Sequence, residues 1–238
     1  MIVTVLELPA TWGAPERVLA AVEEMLAGGP RTDLVLLPEA SLTGYVSPRG
    51  DFDLRRFAEP PGGPTSQALS ALAARRGVAL AAPVVLREGD ACFNAVIVHD
   101  ASGRPLATYR KRHPWFPEKW ATPGPEGPPL FQVGELAVTL AICFDGHFLE
   151  DEEDSCRALS GADLLLFPSA WLDREDSRTP LLSGIARRFG ISIAGANWAP
   201  GVVRVPGMGD AYLMGPDGEV LARAIDGRAD AQVGRRKE

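Results

Sequence analysis

The chain has 238 residues, of which 46% are hydrophobic and 23% charged, so disorder, collagen-like repeats and coiled coil are excluded as its main state. A net charge of −7 gives no basic surface for nucleic acid, and no apolar run approaches the roughly 20 residues of a membrane span, so neither is expected as a partner. Three cysteines do not form a disulfide framework, and the start, MIVTVLELPA, lacks a basic leader and a long apolar stretch. We therefore expect no signal peptide and a reducing, cytoplasmic location.

The first half of the chain alternates between apolar strand patterns and amphipathic helix patterns. Strands are predicted at Ile2–Glu7, Leu34–Leu37, Val78–Leu86, Phe93–His99 and Leu106–Arg110, and helices at Pro15–Leu26 and Thr65–Arg76. Glycine at position 77 is expected to end the second helix.

The second half continues in the same style without repeating the sequence. Strands are predicted at Leu136–Ile142, Leu164–Phe167 and Ile191–Ala196, helices at 149–160 and Leu181–Phe189, and a hairpin at 209–224 around Gly-Pro-Asp-Gly. The last dozen residues are polar and are expected to fray as a short tail. The alternation predicts a single α/β domain over residues 1–238, with mixed sheets covered by helices.

Three reactive residues follow three of the predicted strands. Glu39 ends Leu-Leu-Pro-Glu, Lys111 follows Leu-Ala-Thr-Tyr-Arg, and Cys143 ends Val-Thr-Leu-Ala-Ile-Cys. Active sites of α/β sheets collect outside the carboxyl ends of strands, so these side chains are expected to share one pocket. There a thiol can attack, a carboxylate can move protons and a cation can stabilise negative charge.

Each residue alone also has a plainer interpretation. Cys143 fits a small buried hydrophobe, Glu39 fits a cap of the following turn, and Lys111 fits a solvated charge in the basic run Tyr-Arg-Lys-Arg-His. Against the last stands a compositional bias, because only three of the 24 basic residues are lysine. A lysine kept in such a sequence hints that its compact ammonium matters.

Five segments carry these residues in a specific order. They are DLVLLPEASLTGY at 33–45, YRKRHPWFPEKWATPG at 109–124, LAICFDGHF at 140–148, GADLLLFPSAW at 161–171 and MGPDGEVLA at 214–222. Together they resemble the nitrilase superfamily of carbon-nitrogen hydrolases, from residue 2 to about residue 224. The resemblance implies an α-β-β-α sandwich of two mixed sheets with outer helices.

The resemblance also implies a role for individual residues. Glu39 is similar to the family's general base, Lys111 to its electrostatic stabiliser and Cys143 to its nucleophile. Glu118 matches a second glutamate that helps to position the substrate or the catalytic groups, although a surface partner of a nearby basic residue is the alternative. The backbone N–H of Phe144 would complete an oxyanion hole with Lys111.

The walls of the pocket are less specific. Tyr45, Trp115, Trp171 and Asn197 are candidate substrate-binding residues, with core packing as the alternative for the aromatic ones. No pattern of metal ligands or nucleotide-binding glycines occurs, so neither a metal nor another cofactor is predicted. A homodimer is the family's usual assembly, although this chain is short at its C-terminus.

The expected reaction is hydrolysis of a small carboxamide through a cysteine thioester, with release of ammonia. Nitrile hydrolysis and N-carbamoyl hydrolysis are the alternatives within the family, and a non-catalytic interaction module is the alternative outside it. His113 and His147 permit a Cys–His pair, but the sequence context of thiol proteases is missing. Two departures from the family pattern are Glu7, where glutamine is common, and the loss of Arg-Phe-Pro-Glu after Asp145.

Overall fold

The computed structural model describes residues 1–9, 11–172, 176–200 and 207–236. Its strands are β1 (Ile2–Leu6), β2 (Leu34–Leu36), β3 (Ala79–Glu88), β4 (Ala91–His99), β5 (Pro105–Arg110), β6 (Leu130–Val133), β7 (Leu136–Leu140), β8 (Leu164–Pro168), β9 (Ser192–Ala196), β10 (Tyr212–Met214), β11 (Val220–Arg223) and β12 (Arg228–Gln232). Its α-helices are α1 (Pro15–Gly28), α2 (Pro64–Arg76), α3 (Glu153–Gly161) and α4 (Arg178–Phe189). Short 3₁₀ turns occupy Arg55–Phe57 and Cys143–His147.

The strands form two six-stranded mixed sheets. The first has the order β12-β1-β2-β3-β4-β5 and the second the order β11-β10-β9-β8-β7-β6. In each sheet three central strands are parallel, β1-β2-β3 in the first and β7-β8-β9 in the second. Antiparallel strands flank them on both sides.

The side chains of the strands divide the interior into three layers. Val5 and Leu36 of the first sheet pack with Leu140 and Leu166 of the second, which places one apolar layer between the sheets. The opposite face of the first sheet packs against α1 and α2, and that of the second against α3 and α4. The predicted α-β-β-α sandwich is confirmed, because every sheet face is apolar and needs a covering layer.

The boundaries follow the local chemistry closely in the helices. Helices α2 and α4 end where Gly77 and Gly190 adopt left-handed backbone, with φ of 63° and 61°. Glycine carries no Cβ penalty there. Helix α3 starts at Glu153 rather than at 149, because the chain first completes the Cys143–His147 turn and a further turn after it.

The predicted frayed tail is wrong for residues 228–232, and residues 237–238 lie outside the described part of the chain. Residues 228–232 form β12, which pairs antiparallel with β1 from Leu6↔Arg228 to Ile2↔Gln232. Ala229 and Val233 are buried between the sheets, so small apolar residues alternate with polar ones along this edge strand. The polar residues that suggested fraying belong to its solvated face. Strand β6 was not predicted from the sequence either; the structure shows it paired antiparallel with β7.

Within the described residues, no helix has both the length and the apolar character required to cross a membrane.

Candidate active site

Glu39 lies at the carboxyl end of β2, three residues beyond the strand, and its side chain is fully buried. Its carboxylate accepts hydrogen bonds from Lys111 Nζ at 2.7 Å, from Asn94 Nδ2 at 2.8 Å and from the backbone N–H of Ala170 at 3.1 Å. Its backbone carbonyl accepts from the indole N–H of Trp198 at 2.8 Å. Glu39 therefore does not cap a turn; four contacts fix it in place.

Lys111 directly follows β5 and is also fully buried. Its ammonium donates to Glu39 Oε1 and to Glu118 Oε2, both at 2.7 Å. Burial alone would lower the pKa of Lys111, but the two carboxylates outweigh it, and the pKa lies above its usual range. Lys111 is thus a permanent cation, and two of the three ammonium protons are occupied by carboxylates.

Glu118 also lies in this cluster, and its partners there are not surface arginines. Besides Lys111, it accepts from Asn94 Nδ2 at 2.5 Å and from the backbone N–H of Trp115 at 2.6 Å. Two carboxylates around one ammonium leave the cluster with a net negative charge. Burial and the charge of Glu118 raise the pKa of Glu39, while Lys111 opposes them. A raised pKa brings a carboxylate closer to the range useful for proton transfer near neutral pH.

Cys143 is the first residue of the 3₁₀ turn after β7 and has a left-handed backbone, with φ of 48°. A non-glycine residue in this region stores strain, which is common where a side chain must be presented to a pocket. Burial and the charge of Glu39 raise the pKa of the thiol, and Lys111 opposes them. The thiol therefore keeps its proton at rest and needs a base when it attacks.

Asp145 holds the turn of Cys143 against the segment of Lys111. Its carboxylate accepts from the N–H of Ile142 at 3.0 Å, from the N–H of His113 at 2.8 Å and from the hydroxyl of Tyr109 at 3.0 Å. Asp145 is buried, which raises its pKa.

Asn94 was missed altogether. It lies in β4, and its amide bridges Glu39 and Glu118. The available signal was a single amide in the otherwise apolar run from Phe93 to Val98, because a buried polar side chain needs partners.

A cavity of about 460 Å³ opens beside Cys143. Its walls are Trp115, Cys143, Phe144, His147, Ala170, Trp171, Leu172 and Ser177. Of the predicted pocket residues, Trp115, Phe144 and Trp171 line the cavity. Tyr45 lies buried behind Trp115, with 6.4 Å between the ring centroids.

Asn197 supports the part of the cavity wall that Trp171 forms. Its side chain accepts from the N–H of Trp171 at 2.9 Å and donates to the carbonyls of Trp171 and Gly209, at 3.2 and 2.9 Å. His113 also lies away from the cavity: its ring stacks on Phe148 at 3.9 Å and contacts Glu152 at 2.9 Å. A Cys–His pair through His113 therefore has no geometric support.

The chain is similar to known proteins along nearly its whole length. The family model for carbon-nitrogen hydrolases matches residues 3–233. The chain belongs to that family. N-carbamoylputrescine amidases of Solanum lycopersicum and Arabidopsis thaliana are 29% and 27% identical to this chain over 70% and 87% of its length. The two matches span 62% and 77% of those enzymes, so this chain covers less than two thirds of the first.

The fold has solved counterparts within the nitrilase superfamily. An amidase of Nesterenkonia AN1, solved as a cysteine-to-serine variant, superimposes on this chain with a TM-score of 0.84 and 25% identity. The match covers 98% of this chain and 92% of that one. A cysteine-to-alanine variant of the same amidase holds butyramide, with a TM-score of 0.82, 25% identity and coverage of 97% and 89%.

Proposed function

We propose that this protein hydrolyses the C–N bond of a small carboxamide through a thioester on Cys143, releasing ammonia. The observation that carries the proposal is the buried Glu39–Lys111–Glu118 cluster, whose charges act on the thiol of the strained Cys143. Membership of the carbon-nitrogen hydrolases and the amide bound to the Nesterenkonia relative support it.

The first half of the reaction forms the thioester. Glu39 accepts the thiol proton of Cys143 as the sulfur attacks the amide carbon. The carbonyl oxygen becomes negative and receives hydrogen bonds from the third N–H of Lys111 and from the backbone N–H of Phe144. Glu39 then returns the proton to the nitrogen as the C–N bond breaks, so ammonia leaves and the acyl group stays on sulfur.

The second half reverses these roles. Glu39 removes a proton from water, the hydroxide attacks the thioester carbon, and the carboxylic acid leaves as the proton returns to Cys143. In this scheme Glu118 and Asn94 do not move protons. They hold Lys111 and Glu39 in place, since each of them contacts at least one of the two.

Hydrolysis of an N-carbamoyl group is the second candidate, because two relatives carry the name N-carbamoylputrescine amidase. The same thiol and oxyanion site would serve it, with attack on the carbamoyl carbon.

The test is ammonia release over a panel of small amides, nitriles and N-carbamoyl amines. Cys143→Ala should release none, whereas Cys92→Ala, at a buried cysteine that does not line the cavity, should keep the wild-type rate. Intact mass of the quenched enzyme should show an acyl adduct on the peptide of Cys143. Adducts on Cys92 or Cys156, or full activity of Cys143→Ala, would overturn the proposal.

Three coarser proposals accompany this one. We propose one domain over residues 1–238, which the family match over 3–233 supports. We propose a cytoplasmic location, supported by three cysteines that are all unpaired. A homodimer is proposed from the exposed Leu221 in the edge strand β11 and the exposed Ile225 shortly after it, and light scattering tests it.

A further inference from the structure

Four of the eight described residues that line the cavity beside Cys143 carry ring side chains. Phe144, His147 and Trp171 follow one another around it, with 5.1 Å between the centroids of Phe144 and His147 and 5.3 Å between those of His147 and Trp171. The imidazole of His147 and the indole of Trp171 pack against each other as a tilted pair, with ring planes 32° apart. Trp115 lines the same cavity from the segment that carries Lys111.

The Trp171 wall is held in place before any ligand arrives. Its indole N–H donates to Ser177 Oγ at 3.2 Å, and its backbone is bonded on both sides by Asn197. A rigid aromatic side chain loses little conformational freedom when a ligand packs on it. Such a surface favours a flat partner, because aromatic rings gain from offset or edge-on packing beyond the burial of their area.

The side chains that line the cavity also favour an uncharged substrate. Among the described residues that line the cavity, none carries an acidic or basic side chain apart from the imidazole of His147. The buried carboxylates Glu39 and Glu118 are both bonded to Lys111. On the described part of the wall, a charged tail would lie against rings without a carboxylate or guanidinium partner, and burying it there is costly.

The volume of the cavity favours a substrate larger than butyramide. The volume of about 460 Å³ lies within the roughly 300–1,000 Å³ range of small-molecule sites. A four-carbon amide such as butyramide would leave most of it unfilled, whereas a ring joined to a carboxamide by one methylene could reach both Cys143 and the wall.

We propose that the substrate is an uncharged carboxamide with a planar aromatic acyl group, of the arylacetamide class, whose ring packs on Trp171 and His147. This inference rests on the proposed amidase function. It makes Trp171 a specificity-determining residue that acts on the acyl group rather than on the scissile bond.

The test compares matched amides on the wild-type enzyme. Phenylacetamide should exceed cyclohexylacetamide in kcat/KM by about threefold to tenfold, since the two differ in flatness more than in size. 4-Aminobutyramide should fall at least tenfold below butyramide, because its ammonium has no partner in the described wall. Equal rates for the flat and saturated rings, or a preference for the cationic amide, would overturn the proposal.

Substitutions of Trp171 test whether this residue causes the preference for the aromatic amide. In Trp171→Ala the ratio of kcat/KM for phenylacetamide to that for cyclohexylacetamide should fall to about one, and Trp171→Phe should restore part of the ratio. Phe116→Ala, at an exposed ring outside the cavity, is the matched control and should change neither substrate. Equal losses on both amides in Trp171→Ala would mean that the residue is only structural.

A binding measurement separates this inference from the proposed function. Calorimetry on Cys143→Ala should show tighter binding of phenylacetamide than of cyclohexylacetamide or 4-aminobutyramide. If the wild type turns over no amide and this order of binding is still found, the reaction is wrong and the recognition stands. If amides are hydrolysed without this order, the recognition is wrong and the reaction stands.

Discussion

Replacing Lys111 by methionine removes the only cation of the buried cluster while keeping an unbranched chain. The ammonium makes two hydrogen bonds of 2.7 Å, and neither it nor its two carboxylate partners has contact with solvent. Removing one member of a buried ion pair costs roughly 3–5 kcal/mol of unfolding free energy, because the remaining charge stays buried without compensation. Loss of an oxyanion donor costs about 10²–10³ in kcat.

The matched control is Lys119→Met, eight residues further along the same segment. Lys119 is exposed and its ammonium lies 5.0 Å from the ring centroid of Phe116. Its removal should cost no more than about 1 kcal/mol, as for other exposed cation–π contacts, and should leave turnover intact.

The pH dependence distinguishes electrostatics from packing. Without Lys111, nothing opposes the burial of Glu39 and the charge of Glu118 beside it, so the pKa of Glu39 rises further and the folded variant retains a proton that the unfolded chain releases above its ordinary glutamate pKa of 4.5. More protons are then bound in the folded state, and stability falls as pH rises. The stability lost in Lys111→Met should therefore be larger at about pH 8 than at about pH 5.5.

Urea denaturation at the two pH values, with ammonia release on the same samples, measures both effects. In the wild type the pKa of Lys111 is raised, so its contribution is present throughout this range and would be lost only at strongly alkaline pH. A pH-independent loss would indicate packing alone. Wild-type turnover in Lys111→Met, or in the charge-keeping Lys111→Arg, would refute its role as a compact oxyanion donor.

Three further predictions concern the residues around this cluster. Glu39→Gln should fold and bind amide but lose about 10²–10⁴ in single-turnover rate, because the proton acceptor is gone; a lower melting temperature with an unchanged rate would make Glu39 structural instead. Glu118→Gln removes a charge that raises the pKa of Glu39, so the acidic limb of kcat/KM should move to lower pH, and an unmoved limb would contradict the coupling. Arg178→Met should lower the free energy of unfolding in urea by roughly 1–3 kcal/mol and weaken the wall near Trp171, because the buried guanidinium donates to Ser169 Oγ at 3.1 Å. The control Arg188→Met, at an exposed position on the same helix, should lower it by about 0.5 kcal/mol or less.

Much of this protein can be read from sequence because it is encoded locally. Continuous apolar runs marked the parallel strands β2 and β8, and helical periodicity ending in Gly77 and Gly190 marked α2 and α4. The position of Glu39, Lys111 and Cys143 just beyond strands predicted that they meet, since parallel strands of one sheet end at one edge and the two sheets pack face to face.

What the tertiary structure decided depends on partners distant in the chain. Asn94 is 55 residues from Glu39 and 24 from Glu118, and only the pairing of β4 beside β3 and β5 brings its amide between them. Strand β12 exists because β1, more than 220 residues away, offers an open edge and an apolar layer for Ala229. Likewise Trp171 faces the cavity while Tyr45 lies behind it, a difference in orientation that composition cannot encode. Periodicity reports which face of an element is apolar, whereas hydrogen-bond partners and pocket walls are fixed only when separate elements pack together.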